Sequence, residues 1–109
     1  MPKRFFNKLM IALMVAMSGL SALAGTFPTV PLSDLPDSLQ SVWKELKPEM
    51  TPMSHCAAAY DSHTDGDRMV FRCSIHIKMS AEGERRAMRY CEERRAEKKI
   101  KAPCRLVVD

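Results

Sequence analysis

The chain has 109 residues, 17 basic and 13 acidic side chains, and a formal net charge of +4. Lys3, Arg4 and Lys8 sit in a leader without acids, so the remainder is close to neutral and general nucleic-acid affinity loses its support. A single small domain is all the length allows, with a core too thin to be very stable unaided.

The leader reads as a signal peptide over residues 1–24. Three bases precede an apolar run from Leu9 to Leu20, and Ala22-Leu23-Ala24 supplies the small residues of a cleavage site after Ala24. The run of about a dozen apolar residues is short of the ~20 that span a bilayer. The expectation is a periplasmic or secreted chain beginning at Gly25, with no membrane span after cleavage. All four cysteines (Cys56, Cys73, Cys91, Cys104) lie beyond the cleavage point. An even count in a small exported chain argues for two disulfides. No C-x-x-C occurs, so a thioredoxin-like redox role has no motif.

Residues 25–54 form a proline-rich leader and a short helix. Pro28, Pro31 and Pro36 each remove a backbone donor, which suits a segment lying over a surface rather than pairing in a sheet. A helix is predicted from about Pro36 to Lys47, with Asp37 in its first turn and Pro48 stopping it. Leu39, Val42, Trp43 and Leu46 make one apolar stripe on it. That stripe either packs on a sheet or, together with the leader, docks a partner.

Residues 55–109 read as the disulfide-stapled domain. His55–Tyr60 is a short strand, and Asp61–Asp67 is a turn-rich loop. From Met69 to Lys78 apolar and polar residues alternate, the pattern of a strand with one buried face. A four-residue hairpin loop at His63-Thr64-Asp65-Gly66, with Gly66 at positive φ, sets Cys56 opposite Cys73, Ala58 opposite Phe71 and Tyr60 opposite Met69. A tighter turn leaves the cysteines diagonal at ~7–8 Å, beyond the ~6.8 Å limit of a disulfide. The next helix is predicted over 80–101, capped by Ser80 and buried through Ala87, Met88 and Cys91. Glu82–Arg86, Arg89–Glu93 and Glu97–Lys101 are i,i+4 pairs on its surface. Gly83 has no purpose visible in the sequence.

The second disulfide follows from geometry. Eight helical residues from Cys91 to about Lys99 descend ~12 Å, and the extended return to Cys104 covers ~16 Å, which brings the two cysteines together. Leu106-Val107-Val108 is then a strand covered on both faces or lying beside another strand. The fold class is α+β: a three-stranded mixed sheet, made of a hairpin plus a β-α-β unit, with one long and one short helix.

Ala87, Met88 and Cys91 on a helix, followed by Pro103, Cys104, Leu106, Val107, Val108 and Asp109, resemble small exported proteobacterial proteins of unknown function. The resemblance implies this fold and an envelope location, and no activity.

Motifs for chemistry are sparse. Asp61–Asp67 partly imitates a calcium loop, but His63 and Arg72 stand where oxygen ligands belong. Cys73 and His76 have zinc-like spacing, yet on a strand they point to opposite faces. His55 and His76 share the outer face, with Ser74 between them. No nucleophile elbow, zinc-protease or phosphate-loop motif is present, and no cofactor is called for. Residues 25–67 hold seven acids against Lys44 and Lys47, whereas residues 68–109 hold twelve bases against six acids. The favoured reading is a non-enzymatic binding module of the bacterial envelope. Its partner is a protein or an anionic envelope component, met through Trp43, Leu39 and Leu46, with Arg85 and Arg89 as a second contact. The alternative is a small hydrolase or metal-dependent enzyme assembled from residues such as His55, His76 and Asp61.

Overall fold

The computed structural model describes residues 27–109. The expected leader and its cleavage site lie outside them. Four strands form one mixed sheet: β1 (Thr29–Pro31), β2 (His55–Tyr60), β3 (Met69–Ser74) and β4 (Arg105–Val108), in the order β1-β4-β2-β3. The two helices are α1 (Asp37–Leu46) and α2 (Ser80–Lys98). The α+β class is as expected, but the sheet has four strands rather than three.

The added strand is the proline-rich leader, which pairs parallel to β4 with Val30 beside Val107. Prolines are tolerated because β1 is an edge. Leu106 N–H donates to the Pro28 carbonyl at 2.8 Å, the ladder then passes to Val30, and Pro31 turns its missing donor to the open side. Val30 is fully buried by this docking.

β2 and β3 pair in the expected register, with Cys56 opposite Cys73 and Tyr60 opposite Met69. The Cys56–Cys73 and Cys91–Cys104 disulfides are both present, with Cα separations of 4.0 and 6.1 Å. β3 ends at Ser74, not near Lys78, because β2 starts at His55 opposite Ser74 and offers nothing further to pair with. In the hairpin loop Gly66 does not take a positive φ. It opens a 3₁₀ turn whose Asp67 N–H is capped by the Asp65 carboxylate.

The sheet is covered on both faces, which the alternation along β3 alone did not reveal. Ala57, Ala59, Val70 and Leu106 face α2, joined by Ala87, Met88, Cys91, Ile100 and Cys104. Val30, Cys56, Ala58, Met69 and Val107 face α1 through Leu39, with Trp43 packed alongside. Alanines are weak strand formers, but at Ala57 and Ala59 they let the backbone of α2 approach. Leu106 and Val107 point to opposite covered faces, and β4 also lies between β1 and β2, so both arrangements that the apolar run allowed hold at once.

α2 is shorter than expected. It closes at Lys99, which adopts a left-handed conformation (φ 56°) so that Lys99 N–H reaches Ala96 O and Ile100 N–H reaches Arg95 O. This αL closure buries Ile100 and starts the return toward Cys104. Glu97 therefore pairs with Arg94 at 2.6 Å rather than with Lys101. Ser80 does not cap the helix; it is the first helical residue, and its hydroxyl bonds His55 Nε2 at 2.7 Å.

Candidate functional site

The two edges of the sheet are unlike. β1 is three residues long and carries Pro31, so it is a poor template for another strand. β3, at the other edge, has no proline. Asp61 N–H donates to Arg68 O at 2.9 Å, which fixes the phase of the antiparallel ladder: Val70, Arg72 and Ser74 exchange bonds with β2. The N–H and C=O groups of Met69, Phe71 and Cys73 therefore point away from it. Lys98 Nζ meets the Met69 carbonyl at 2.8 Å, in keeping with that direction. Among the described residues, no group takes the outward N–H and C=O of Phe71 and Cys73.

This open edge is the floor of a groove of about 560 Å³ between the two helices. Val42 and Leu46 of α1 form one wall, and Tyr90, Glu93, Arg94 and Glu97 of α2 form the other. Val42 and Tyr90 are each 37% exposed. The groove continues past Phe71 and Arg72 to Arg94 and Lys98. The α1 wall is apolar and the α2 wall is charged. Arg94 is engaged by Glu97 at 2.6 Å and Glu93 lies 4.0 Å from Arg89. Among the described residues, Arg72 and Lys98 have no carboxylate partner within salt-bridge distance.

The residues expected to meet a partner are spread over several places. Leu46 lines the groove. Leu39 is buried, and Trp43 is half-buried against the α1-side core with its indole Nε1 enclosed and unbonded. Arg85 is exposed and held by Glu82, and Arg89 lies over the Tyr90 ring at 5.4 Å. The stripe on α1 thus packs on the sheet through Leu39 and Trp43, leaving Val42 and Leu46 for the groove. Trp43→Ala should destabilise the domain by ~2–3 kcal/mol, below the ~3–5 of a fully buried tryptophan. Trp43→Phe should cost much less, since it also removes an enclosed donor without a partner. Thermal melts of both variants check this.

The residues named for catalysis do not meet. His55 opens β2, whereas Asp61 follows its far end, about 20 Å away at ~3.3 Å per residue. His76 is exposed beyond the end of β3, and the face that carries His55 and Ser74 is not an outer face but lies beneath the start of α2. Asp61 instead serves the fold. Its two carboxylate oxygens accept from Lys101 N–H at 2.8 Å and Ala102 N–H at 2.9 Å, which holds the chain returning from α2.

These backbone bonds, Lys101 first, hold the Asp61 pKa below the ordinary carboxylate value. Glu82 is lowered too, first by its bond from Arg86 and then by that from Arg85. Both folded-state values lie below the unfolded ones, so their stabilisation is complete above the unfolded value and is lost as pH falls through the folded one. The urea midpoint should drop below about pH 4, and Asp61→Asn should remove part of that drop.

Sequence reasoning passes over Phe71, Arg72 and Tyr90 as groove residues, and places Arg94 only among the basic residues of the long helix. Their meeting depends on β3 being an edge, and that depends on where β1 and β4 insert. No family model, curated protein or solved structure matches the chain. No helix among the described residues is long and apolar enough to cross a membrane.

Proposed function

We propose that this chain is an exported, non-enzymatic binding module of the bacterial envelope, periplasmic or secreted, that takes a protein partner in the groove along β3. One observation carries the reading: β3 is a sheet edge with outward backbone groups at Phe71 and Cys73, set between an apolar wall and a charged one. Native proteins normally cover, shorten or break such an edge, as this chain does at β1. Two disulfides fit an oxidising compartment. The groove is open and shallow, unlike the enclosed pockets that usually hold small substrates.

The hydrolase alternative retains one point in its favour, the 2.7 Å contact between His55 Nε2 and Ser80 Oγ. A nucleophile and base need a third group to orient the base. Among the described residues, no carboxylate bonds His55, and the pair fastens the start of α2 to β2.

Photo-crosslinking separates surfaces. A benzoylphenylalanine at Leu46 or Tyr90, expressed in an envelope-bearing host, should give an adduct with one protein partner. The same probe at Asp37 or Lys101, outside the groove, should not. Adducts from the distant positions alone would contradict the proposal, and an adduct of twice the chain's mass would make the partner a second copy.

A further inference from the structure

Given that the groove is a protein-binding site, we infer that its occupant is an extended acidic peptide segment of another protein, which adds to the sheet as a fifth strand beside β3. The backbone dictates the mode. Phe71 and Cys73 present two N–H and two C=O groups at the spacing of an antiparallel or parallel ladder, and an extended chain satisfies all four. A helix laid in the same groove has its own donors and acceptors already paired and leaves these four unmet.

The walls dictate the pattern of the occupant. Side chains of an added strand alternate between faces. Those on the α1 face meet Val42, Leu46 and Phe71, an apolar surface. Those on the α2 face meet Arg72, with Arg94 and Lys98 beyond it. Glu93 and Glu97 share this wall, Glu97 engaged by Arg94 and Glu93 turned toward Arg89, so Arg72 is the cation nearest the edge without an acid. Arg72 and Lys98 lack acidic partners among the described residues, so an acidic side chain opposite Arg72 forms a cross-strand ion pair that a basic one cannot. The expected segment thus alternates apolar and acidic residues over about five positions, matching the short length of β3.

The same charge disfavours a second copy. Two β3 edges pairing antiparallel through Phe71 and Cys73 set the two copies' Arg72 side chains directly opposite, where like charges repel. Lys98 works in the same direction at the Met69 end, where it already occupies the first outward carbonyl and marks the limit of the ladder.

The test uses a random dodecapeptide library displayed on phage and panned against the oxidised full chain. Selected peptides should alternate apolar and acidic residues. Synthetic versions N-methylated at the amides that face β3 should bind about tenfold or more weakly, because each methyl removes a backbone bond. Arg72→Glu should reverse the charge preference, and added salt should weaken the unmodified pair. Chemical shifts of the Phe71 and Cys73 amides should move on binding. Selection of peptides indifferent to N-methylation, or of basic peptides, would overturn the strand-addition inference. So would a β3-mediated dimer in analytical ultracentrifugation. Groove-specific crosslinks in the envelope would survive the first two results, so the failure of this inference is distinguishable from failure of the binding-module reading.

Discussion

Replacing Cys91 and Cys104 together by alanine should lower the melting temperature by ~12–24 °C. The bond closes a chain segment with a sequence separation of 13, worth ~3 kcal/mol by chain entropy, and each kcal/mol shifts a domain of this size by ~4–8 °C. The Cys56–Cys73 bond spans 17 residues, a difference in loop length worth only ~0.2 kcal/mol on the same scale. Loop length therefore does not rank the two. Surroundings do: Cys91 and Cys104 are both enclosed in the α2-side core, while Cys73 reaches the groove. Cys56 and Cys73 are also held in register by the β2–β3 ladder on either side. The Cys91–Cys104 double variant should therefore lose more than the Cys56–Cys73 one, and paired thermal melts show the order. Equal losses would mean that only the unfolded chain feels these bonds.

Gly83→Ala should destabilise the domain by ~1–3 kcal/mol, against the usual direction for a helix interior. Intrinsic propensity favours alanine by about 1 kcal/mol. A methyl at Gly83, however, lies 2.6 Å from the Met53 carbonyl oxygen, 3.1 Å from His55 Cδ2 and 3.4 Å from Ser74 Oγ. The nearest of these is backbone, which cannot swing aside. The substitution also presses on the buried bond from Ser74 Oγ to Gly83 O at 2.5 Å, and a buried hydroxyl left without its acceptor costs ~1–3 kcal/mol. Gly66→Ala provides the contrast. Nothing lies within 4 Å of a methyl there and φ is outside the left-handed region, so that variant should be neutral or slightly stabilising. Urea titrations should show a clear fall in midpoint for Gly83→Ala and none for Gly66→Ala.

Much of this fold was legible because it is local. The hairpin register follows from one assumption about loop length, and Cys56 does oppose Cys73. The Cys91–Cys104 bond follows from the rise of a helix and the reach of a strand. What was not legible depends on contacts between distant segments. Thr29–Pro31 joins the sheet only because β4 stands beside it, and its prolines argue locally for the opposite. Gly83 makes sense only when Met53 and His55 are placed against it. Ser74, polar and expected outside, is 4% exposed because α2 crosses over it and the Gly83 carbonyl accepts a hydrogen bond from its hydroxyl. The candidate site shares this dependence. Leu46 was named from its stripe, but Phe71, Tyr90 and Arg94 become neighbours only once the strand order β1-β4-β2-β3 makes β3 an edge.

Amide hydrogen exchange along β3 tests the open edge most directly. In the free, oxidised protein the amides of Val70, Arg72 and Ser74, bonded to β2, should exchange slowly, at rates set by opening of the sheet. Those of Phe71 and Cys73, directed into the groove, should exchange far faster, and should become protected when a groove-binding peptide is added. Slow exchange at Phe71 and Cys73 in the free protein, matching their neighbours, would mean that the edge is already covered and would contradict the account.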